Sequence, residues 1–230
     1  MIPILNLSTS FTKTALSFDK NYFNSLPPFS DERNSYLSFF KKIGIGSTRE
    51  TYALSSKKAL KVAIDKYGLE ENRNEYNILS TIKSKFLPKF FDSSKDYSWI
   101  EVELVRTLSD RNEIEELIGV NGKDLIFIMG ARKRYNSLQD LLNHVIRFTI
   151  DELNSIKLQH YYIEDHKIYD IQHCEEKIKR YQLYLKNSDL FDLDKLLSDL
   201  NLKTTEFIYF FNFGKSASGN LVILDLGKLR

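Results

Sequence analysis

Residues 42–64 read KIGIGSTRETYALSSKKALKVAI, and this stretch decides the fold. A glycine pair, Gly44 and Gly46, is followed by a strand-like run at 49–54, a polar turn, and a run at 59–64 that is apolar around one lysine. Short β-branched and apolar runs between glycine- and serine-rich turns predict antiparallel strands. Glycines at a strand-to-strand turn also allow backbone N–H groups to approach a phosphate closely.

Further short elements are predicted on both sides of this stretch. They are a strand at 36–43, a helix at 69–85, and two strands at 90–91 and 99–105. Beyond residue 108 the pattern predicts helices at 112–118, 138–146, 151–187 and 193–200, and then a hairpin of strands at 206–215 and 220–224. Five strands with one inserted helix, followed by helices and a hairpin, form an α+β order rather than a strand–helix alternation.

The composition excludes several classes of protein. The 230 residues carry 33 Lys and Arg against 31 Asp and Glu, a net charge of +2, so nucleic acid is not expected as a partner. A single cysteine, Cys174, excludes an internal disulfide and a Cys-rich zinc site and favours a reducing compartment. No apolar run approaches the roughly 18 residues of a membrane helix, so we expect a cytoplasmic protein with no membrane partner.

Two pairs of polar residues stand where chemistry is expected. Lys61 lies inside the apolar run at 59–64, where a buried ammonium needs a carboxylate or a phosphate, unless it faces water at a sheet edge. Glu75, 14 residues later on the predicted helix, is a candidate for that carboxylate. Asp225 follows the last apolar strand and precedes a glycine turn, and Asn212 lies across the hairpin from it. Oxygen ligands of this kind suit Mg²⁺.

Together these pieces resemble the protein-kinase-like fold, and in particular the small kinase-like proteins of bacteriophages and bacteria. Segments 42–52, 59–63, 68–75, 87–92 and 99–105 are similar to the glycine-rich loop, the lysine strand, the helix opening and the fourth and fifth strands of that family. Segment 212–227 is similar to its Asn-x-Gly…Asp-x-Gly hairpin. The resemblance implies ATP and Mg²⁺ as ligands. It assigns nucleotide binding to Gly44, Gly46, Lys61, Glu75, Glu103 and Val105, and metal binding to Asn212 and Asp225.

The resemblance also divides the chain. It implies an N-terminal arm at 1–34, a kinase-like N-lobe at 35–108 with a small antiparallel sheet and one helix, and a reduced, mainly helical C-lobe at 109–230 that ends in the hairpin. Only three residues follow Gly227, so we expect no activation loop and no lower helical lobe after the hairpin. We expect the arm to pack a few aromatic side chains on the body.

Two positions depart from the family pattern. Arg49 replaces the third glycine of the loop, where an arginine can still meet a phosphate. Phe207 stands five residues before Asn212, at the position of the catalytic aspartate, and a phenyl ring cannot accept a proton from a substrate hydroxyl. Glu206 is a substitute only after a one-residue shift, and three aspartates nearby are better explained as helix caps or helix surface: Asp192, Asp194 and Asp199.

Two functions from different classes therefore stay open. The first is a pseudokinase-like regulator that binds a nucleotide, a protein or both. If the chain is phage-encoded, we expect its protein partner to be a host protein and its location to be the host cytoplasm. The second is an active ATP- and Mg²⁺-dependent phosphotransferase or nucleotidyl transferase with unusual catalytic groups, since phosphoryl transfer depends mainly on positioning and charge. The loss of the base at Phe207 favours the binding protein over the enzyme.

Other features of the sequence have plainer explanations. The run at 125–130 is a rival for the fifth strand and its hinge, but 99–105 is preferred because the Leu-Pro-x-x-Phe strand directly precedes it. The four histidines lack metal-ligand spacing and are expected on helix surfaces: His144, His160, His166 and His173. The basic cluster at 132–134 is expected to be a solvated loop.

Overall fold

A computed structural model describes residues 17–158, 164–200, 212–224 and 226 of the chain. The helices are α1 (Lys20–Ser25), α2 (Asp31–Leu37), α3 (Lys66–Thr81), α4 (Asn112–Ile118), α5 (Gly122–Ala131), α6 (Leu138–Leu158), α7 (Glu164–Tyr184) and α8 (Ser188–Leu200). The strands are β1 (Lys41–Ile45), β2 (Arg49–Ala53), β3 (Lys58–Ala63), β4 (Phe90–Ser93), β5 (Trp99–Glu103), β6 (Arg106–Thr107), β7 (Phe213–Lys215) and β8 (Leu221–Ile223).

The first five strands form one antiparallel sheet. Their order is β1-β2-β3-β5-β4, and α3 is the connection between β3 and β4. Helices α4 to α8 follow, and the chain returns to β structure in β7 and β8. This order of elements confirms the predicted fold class, an α+β protein with a protein-kinase-like arrangement.

The predicted strand at 36–43 is wrong in its first half. Tyr36 and Leu37 end α2, and β1 begins only at Lys41. The helix forms because the Ser30 side chain accepts a hydrogen bond from the Arg33 N–H and acidic residues occupy the first turn. The apolar and aromatic residues at 36–40 resemble a strand in composition, which concealed this cap.

Helices α1 and α2 cover the rear of the sheet through an aromatic cluster. Phe23 is fully buried, and its ring lies 5.2 Å from the ring of Phe18. Phe18 in turn meets the edge of Trp99 at 5.8 Å, and the Trp99 indole N–H donates to Asn24 Oδ1 at 2.8 Å. The described part of the predicted arm, from residue 17 onward, thus packs aromatic side chains on the sheet as expected.

The helical part excludes the rival position of the hinge. The run at 125–130 lies inside α5, where Leu125, Ile128 and Met129 are buried and Phe127 is exposed. Burial at i, i+3 and i+4 is the helical period, not the alternation of a strand. The helix begins at an Asn121 side chain that accepts from the Lys123 N–H. Among the described residues, no helix is both long and apolar enough to cross a bilayer.

A second, three-stranded sheet joins the two halves of the chain. Strand β6 directly follows the end of β5, and it pairs with β7, which pairs with β8. A Cβ atom on Gly214 in β7 would lie 2.5 Å from Val105 Cγ1 and 2.8 Å from the Arg106 carbonyl. Only glycine therefore allows the hairpin to approach the segment after β5 this closely.

Candidate functional site

Lys61 and Glu75 form the ion pair that the sequence led us to expect. The Lys61 Nζ donates to Glu75 Oε1 at 2.6 Å. The Glu75 side chain is fully buried, and the Lys61 side chain is 14% exposed. Strand β3 aims the lysine at one face of the sheet, and α3 crosses that face with Glu75 on its buried side. The pair supplies Glu75 Oε1 with a cation, which a buried carboxylate needs.

Glu75 has a second cation that the sequence did not reveal. Arg49 Nη1 donates to Glu75 Oε2 at 2.6 Å, and Arg49 Nε lies 3.0 Å from Glu71 Oε2. Thr48 Oγ1 also donates to Glu71 Oε2, at 2.8 Å. The loop is thereby tied to α3 by two carboxylates one helical turn apart. Arg49 was expected only as a possible phosphate ligand; the spacing of Glu71 and Glu75 on one helix face was the signal that could have revealed this contact.

The terminal hairpin reaches the same site through its backbone. The Lys61 Nζ also donates to the Leu224 carbonyl at 2.9 Å, and the Leu224 N–H donates to the Asn212 carbonyl at 2.8 Å. Asn212 is half-buried beside β7. Asp225, the other predicted metal ligand, lies outside the described residues, as do Glu206 and Phe207.

The glycine-rich loop uses one of its own N–H groups internally. Gly46 N–H donates to the Arg49 carbonyl at 2.8 Å, so this donor is not free to meet a phosphate as the sequence suggested. A Cβ on Gly46 would also lie only 3.1 Å from that carbonyl. At Gly44 a Cβ would meet Thr51 at an ordinary 3.5 Å, so the fold itself does not require glycine there.

A cavity of about 310 Å³ lies under this loop, and we call it the front cavity. Its lining includes the loop residues 43–49, the segment 102–105, and Lys61, Glu71 and Leu224. The volume lies at the lower limit of about 300–1,000 Å³ that is usual for small-molecule sites. Lys61, the predicted hinge and the glycine loop therefore face a common open space.

Two of the three backbone N–H groups at the predicted hinge, residues 103–105, are used within the fold. Glu103 N–H donates to the Lys89 carbonyl at 2.8 Å, and Leu104 N–H donates to the Lys57 carbonyl at 2.9 Å. Both hydrogen bonds extend the pairing of β5 with its two neighbouring strands. Within the described part of the chain, the Val105 N–H has no backbone acceptor, and Val105 lines the front cavity. Of the two hinge residues named from sequence, the Glu103 N–H is used within the sheet, whereas the Val105 N–H has no backbone acceptor among the described residues.

The other polar clusters have structural contacts. Arg132, in the basic cluster expected to be a solvated loop, donates to Asp194 Oδ1 at 2.7 Å and to the Tyr135 carbonyl at 2.9 Å. That part of the prediction is wrong: the cluster forms a short 3₁₀ turn, and Arg132 ties it to α8. In the residues that the structure describes, no three His, Cys, Asp or Glu side chains come together as a metal site.

Comparison with known proteins adds little to this geometry. No family model and no curated protein matches the chain. Among solved structures, the ternary complex of streptomycin, ATP and APH(2")-IIa is similar over 92% of this chain and 71% of that chain, with a TM-score of 0.36 and 12% sequence identity. A likeness of that extent carries no argument about ligand or activity. The fold class depends on the strand order and the position of α3 described above.

Proposed function

We propose that the protein is a kinase-fold nucleotide-binding protein that takes ATP with Mg²⁺ in the front cavity. The observation that carries the proposal is the Lys61–Glu75 pair at 2.6 Å, placed between the glycine loop and the segment after β5. In kinase folds, a strand lysine held by a helix glutamate contacts the α- and β-phosphates. The open space beside Lys61 supports the same use here.

The residues around the cavity fit the parts of a nucleotide. Val105 N–H, beside the apolar side chains of Ala59 and Val102, suits the edge and face of an adenine ring. Lys61 suits the phosphates. Asn212 and Asp225 are the candidates to hold Mg²⁺, which would neutralise phosphate charge when it is bound.

We further propose that the protein acts as a regulator with a protein partner, a host protein if the chain is phage-encoded, rather than as a phosphotransferase. Phe207 supports this because the position five residues before Asn212 has no group that can accept a proton. Without that group, a bound nucleotide stabilises one conformation for a partner instead of donating a phosphoryl group.

Calorimetric titration with ATP and Mg²⁺ tests the nucleotide proposal. We expect binding to wild type, and about 10- to 100-fold weaker binding to Lys61→Met, since a hydrogen bond to a charged group contributes about 1.5–3 kcal/mol. Lys57→Met removes a lysine from the turn that leads into the same strand, where it is exposed, and should bind as wild type does. Absence of binding at millimolar nucleotide would leave only the protein-binding part of the proposal.

Gly44→Ala supplies a second variant that does not disturb the fold. Its Cβ has room in the free protein, so the unfolding midpoint should stay close to that of wild type. If phosphates lie under the loop, the added methyl group should nevertheless weaken ATP binding. Equal affinity of wild type and Gly44→Ala for ATP would show that the loop does not contact the phosphates.

One observation favours the transferase as a second candidate. The Lys61–Glu75 pair is already formed, and phosphoryl transfer in protein kinases requires that pair in place. Incubation of the protein and a cell lysate with γ-labelled ATP should then label a protein, and Asp225→Ala should abolish the label. A wild-type protein that binds ATP but labels nothing contradicts the transferase and leaves the binding protein.

A further inference from the structure

A second cavity, which we call the rear cavity, lies on the opposite face of the five-stranded sheet. It has a volume of about 610 Å³ and lies between α2 and strands β1 to β3. Side chains alternate between the two faces of a strand, so Thr51 and Lys61 line the front cavity whereas Tyr52 and Val62 line the rear one. Among the described residues, the two cavities share no lining residue.

Arg33 in the wall of the rear cavity is a buried cation that forms no ion pair with any residue of the described ranges. It is 4% exposed, and its Nε is buried without a hydrogen-bond acceptor. Its Nη2 donates to the Phe23 carbonyl at 3.3 Å, and its guanidinium carbon lies 4.5 Å from the centre of the Phe23 ring. No carboxylate of the described residues lies within ion-pair distance, although Asp96 acts on it electrostatically. A buried guanidinium with an unused N–H is costly to the free protein.

The rest of the wall suits an apolar ligand. Its apolar side chains are Phe29, Leu37, Phe40, Val62, Ala63 and Ile64. The two other charges cancel, because Lys42 Nζ donates to Glu50 Oε1 at 2.7 Å. Tyr52 also donates its hydroxyl to Glu50. Arg33 is therefore the unmatched charge in a mainly apolar cavity whose size is usual for small-molecule sites.

Phe29 supplies an independent sign of function at the mouth of this cavity. Its φ is +61°, a conformation that a bulky residue rarely adopts, and its side chain is 45% exposed. Strained backbone of this kind tends to occur at ligand sites. Asparagine would be less strained at this position, so a phenylalanine gains nothing there unless its ring has something to contact.

We propose that the rear cavity binds a small amphipathic carboxylate. Its apolar body would contact Phe29, Leu37 and Phe40, and its carboxylate would accept hydrogen bonds from Arg33. A guanidinium fork matches a carboxylate in charge and in shape, and the ligand would place an anion at ion-pair distance, where none of the described residues has one.

Octanoate and octan-1-ol form a matched pair of probes, because they share an apolar chain and differ in the charged end. Calorimetric titration of wild type should give at least tenfold tighter binding for octanoate, the size expected for a hydrogen bond to a charged group. In Arg33→Met the two probes should bind equally. Arg33→Lys keeps the charge without the fork and should show an intermediate preference.

Phe29→Asn keeps the proposal testable if Arg33→Met does not fold. Relief of the strained φ should leave the unfolding midpoint of the free protein unchanged or raised, while octanoate binding weakens. Thr51→Val alters the front cavity on the same strand as Tyr52 and should bind octanoate as wild type does. The proposal is overturned if wild type binds neither probe at millimolar concentration, if Arg33→Met keeps the preference for octanoate, if Phe29→Asn binds octanoate as wild type does, or if Thr51→Val loses it.

Discussion

At the scale of single residues, Glu75 is the electrostatic centre of the N-terminal half. Its two oxygens are divided between two cations, with Lys61 on Oε1 and Arg49 on Oε2, each at 2.6 Å. Removal of one partner from a buried pair usually costs about 3–5 kcal/mol, because a charge is left uncompensated. Here either cation can still compensate Glu75 when the other is lost.

We therefore predict a non-additive double mutant. Lys61→Met and Arg49→Met should each lower the free energy of unfolding by less than the roughly 3–5 kcal/mol of an isolated buried pair. The double variant should lose more than the sum of the two, since it alone leaves Glu75 without a cation. Urea unfolding of the four proteins measures the coupling. Simple additivity would mean that the two cations act independently on Glu75.

At the scale of elements, the second sheet depends on the close approach of β7 to the segment after β5. Gly214→Ala should destabilise the protein by about 1–3 kcal/mol, the usual cost of overpacking, because the new methyl group meets Val105 and a backbone carbonyl. Gly130→Ala is the matched control: it lies exposed in α5 with no atom near its Cβ position, and it should stabilise by about 0.5–1 kcal/mol. Thermal unfolding should therefore shift in opposite directions for the same chemical change.

Helix α1 is attached to the sheet by a charge cluster whose strength depends on pH. Lys20 Nζ lies 2.7 Å from Glu101 Oε2, and Lys58 Nζ lies 2.5 Å from Glu101 Oε1. Burial by itself raises the pKa of Glu101, but the hydrogen bonds and charges of the two lysines outweigh it and hold the pKa below its ordinary value. A carboxylate with a lowered folded pKa stabilises the protein above its unfolded pKa and loses that contribution as the pH falls through the folded one.

We accordingly predict that the free energy of unfolding depends less on pH in Glu101→Gln than in wild type when the pH is acidic. The difference in unfolding free energy between wild type and Glu101→Gln should be largest at neutral pH. It should shrink as the pH falls below the ordinary glutamate pKa of about 4.3. Urea unfolding at a series of pH values measures it. A difference that stays constant with pH would show that Glu101 acts through packing rather than charge.

At the scale of the whole molecule, one hydrophobic core crosses from the sheet to the helices. It contains Ile78 and Ile100 beside the sheet, Leu125 and Leu193 in the helices, and Phe213 in the hairpin. This cluster spans the sheet and the helices, and the separate cluster around Trp99 packs on the same sheet, so we expect one cooperative unfolding transition.

Two spectroscopic probes can test this cooperativity. The single tryptophan, Trp99, is 1% exposed in the sheet, whereas far-ultraviolet circular dichroism reports mainly on the helices. The two signals should change at the same denaturant concentration. Separate midpoints would show that the sheet and the helices unfold independently.

The sequence predicted the fold better than it predicted the contacts. The spacing of apolar residues and the turn-forming residues between them predicted the bounds of β2, β3 and α4 within a residue or two, because these patterns are local. Lys61 and Glu75 followed from an apolar strand that contains a charge. The contact of Arg49 with Glu75, the use of the Gly46 N–H inside the loop and the burial of Arg33 depend on how distant segments pack, and no local pattern encodes them. The ligand-binding roles of all the predicted site residues remain predictions: Gly44, Gly46, Lys61, Glu75, Glu103, Val105, Asn212 and Asp225.

The two cavities, back to back across a single sheet, have a consequence for mutational scanning. Along β2 and β3, the residues that line the front cavity are odd-numbered, such as Arg49 and Lys61. Those that line the rear cavity are even-numbered, such as Glu50 and Val62, except for Ala63 at the end of β3. A saturation library scored separately for each ligand should therefore give two sensitivity profiles with a two-residue period and opposite phase. Adjacent residues would then affect the binding of different ligands. The sequence of one face of the sheet could change while the ligand bound at the other face stayed the same.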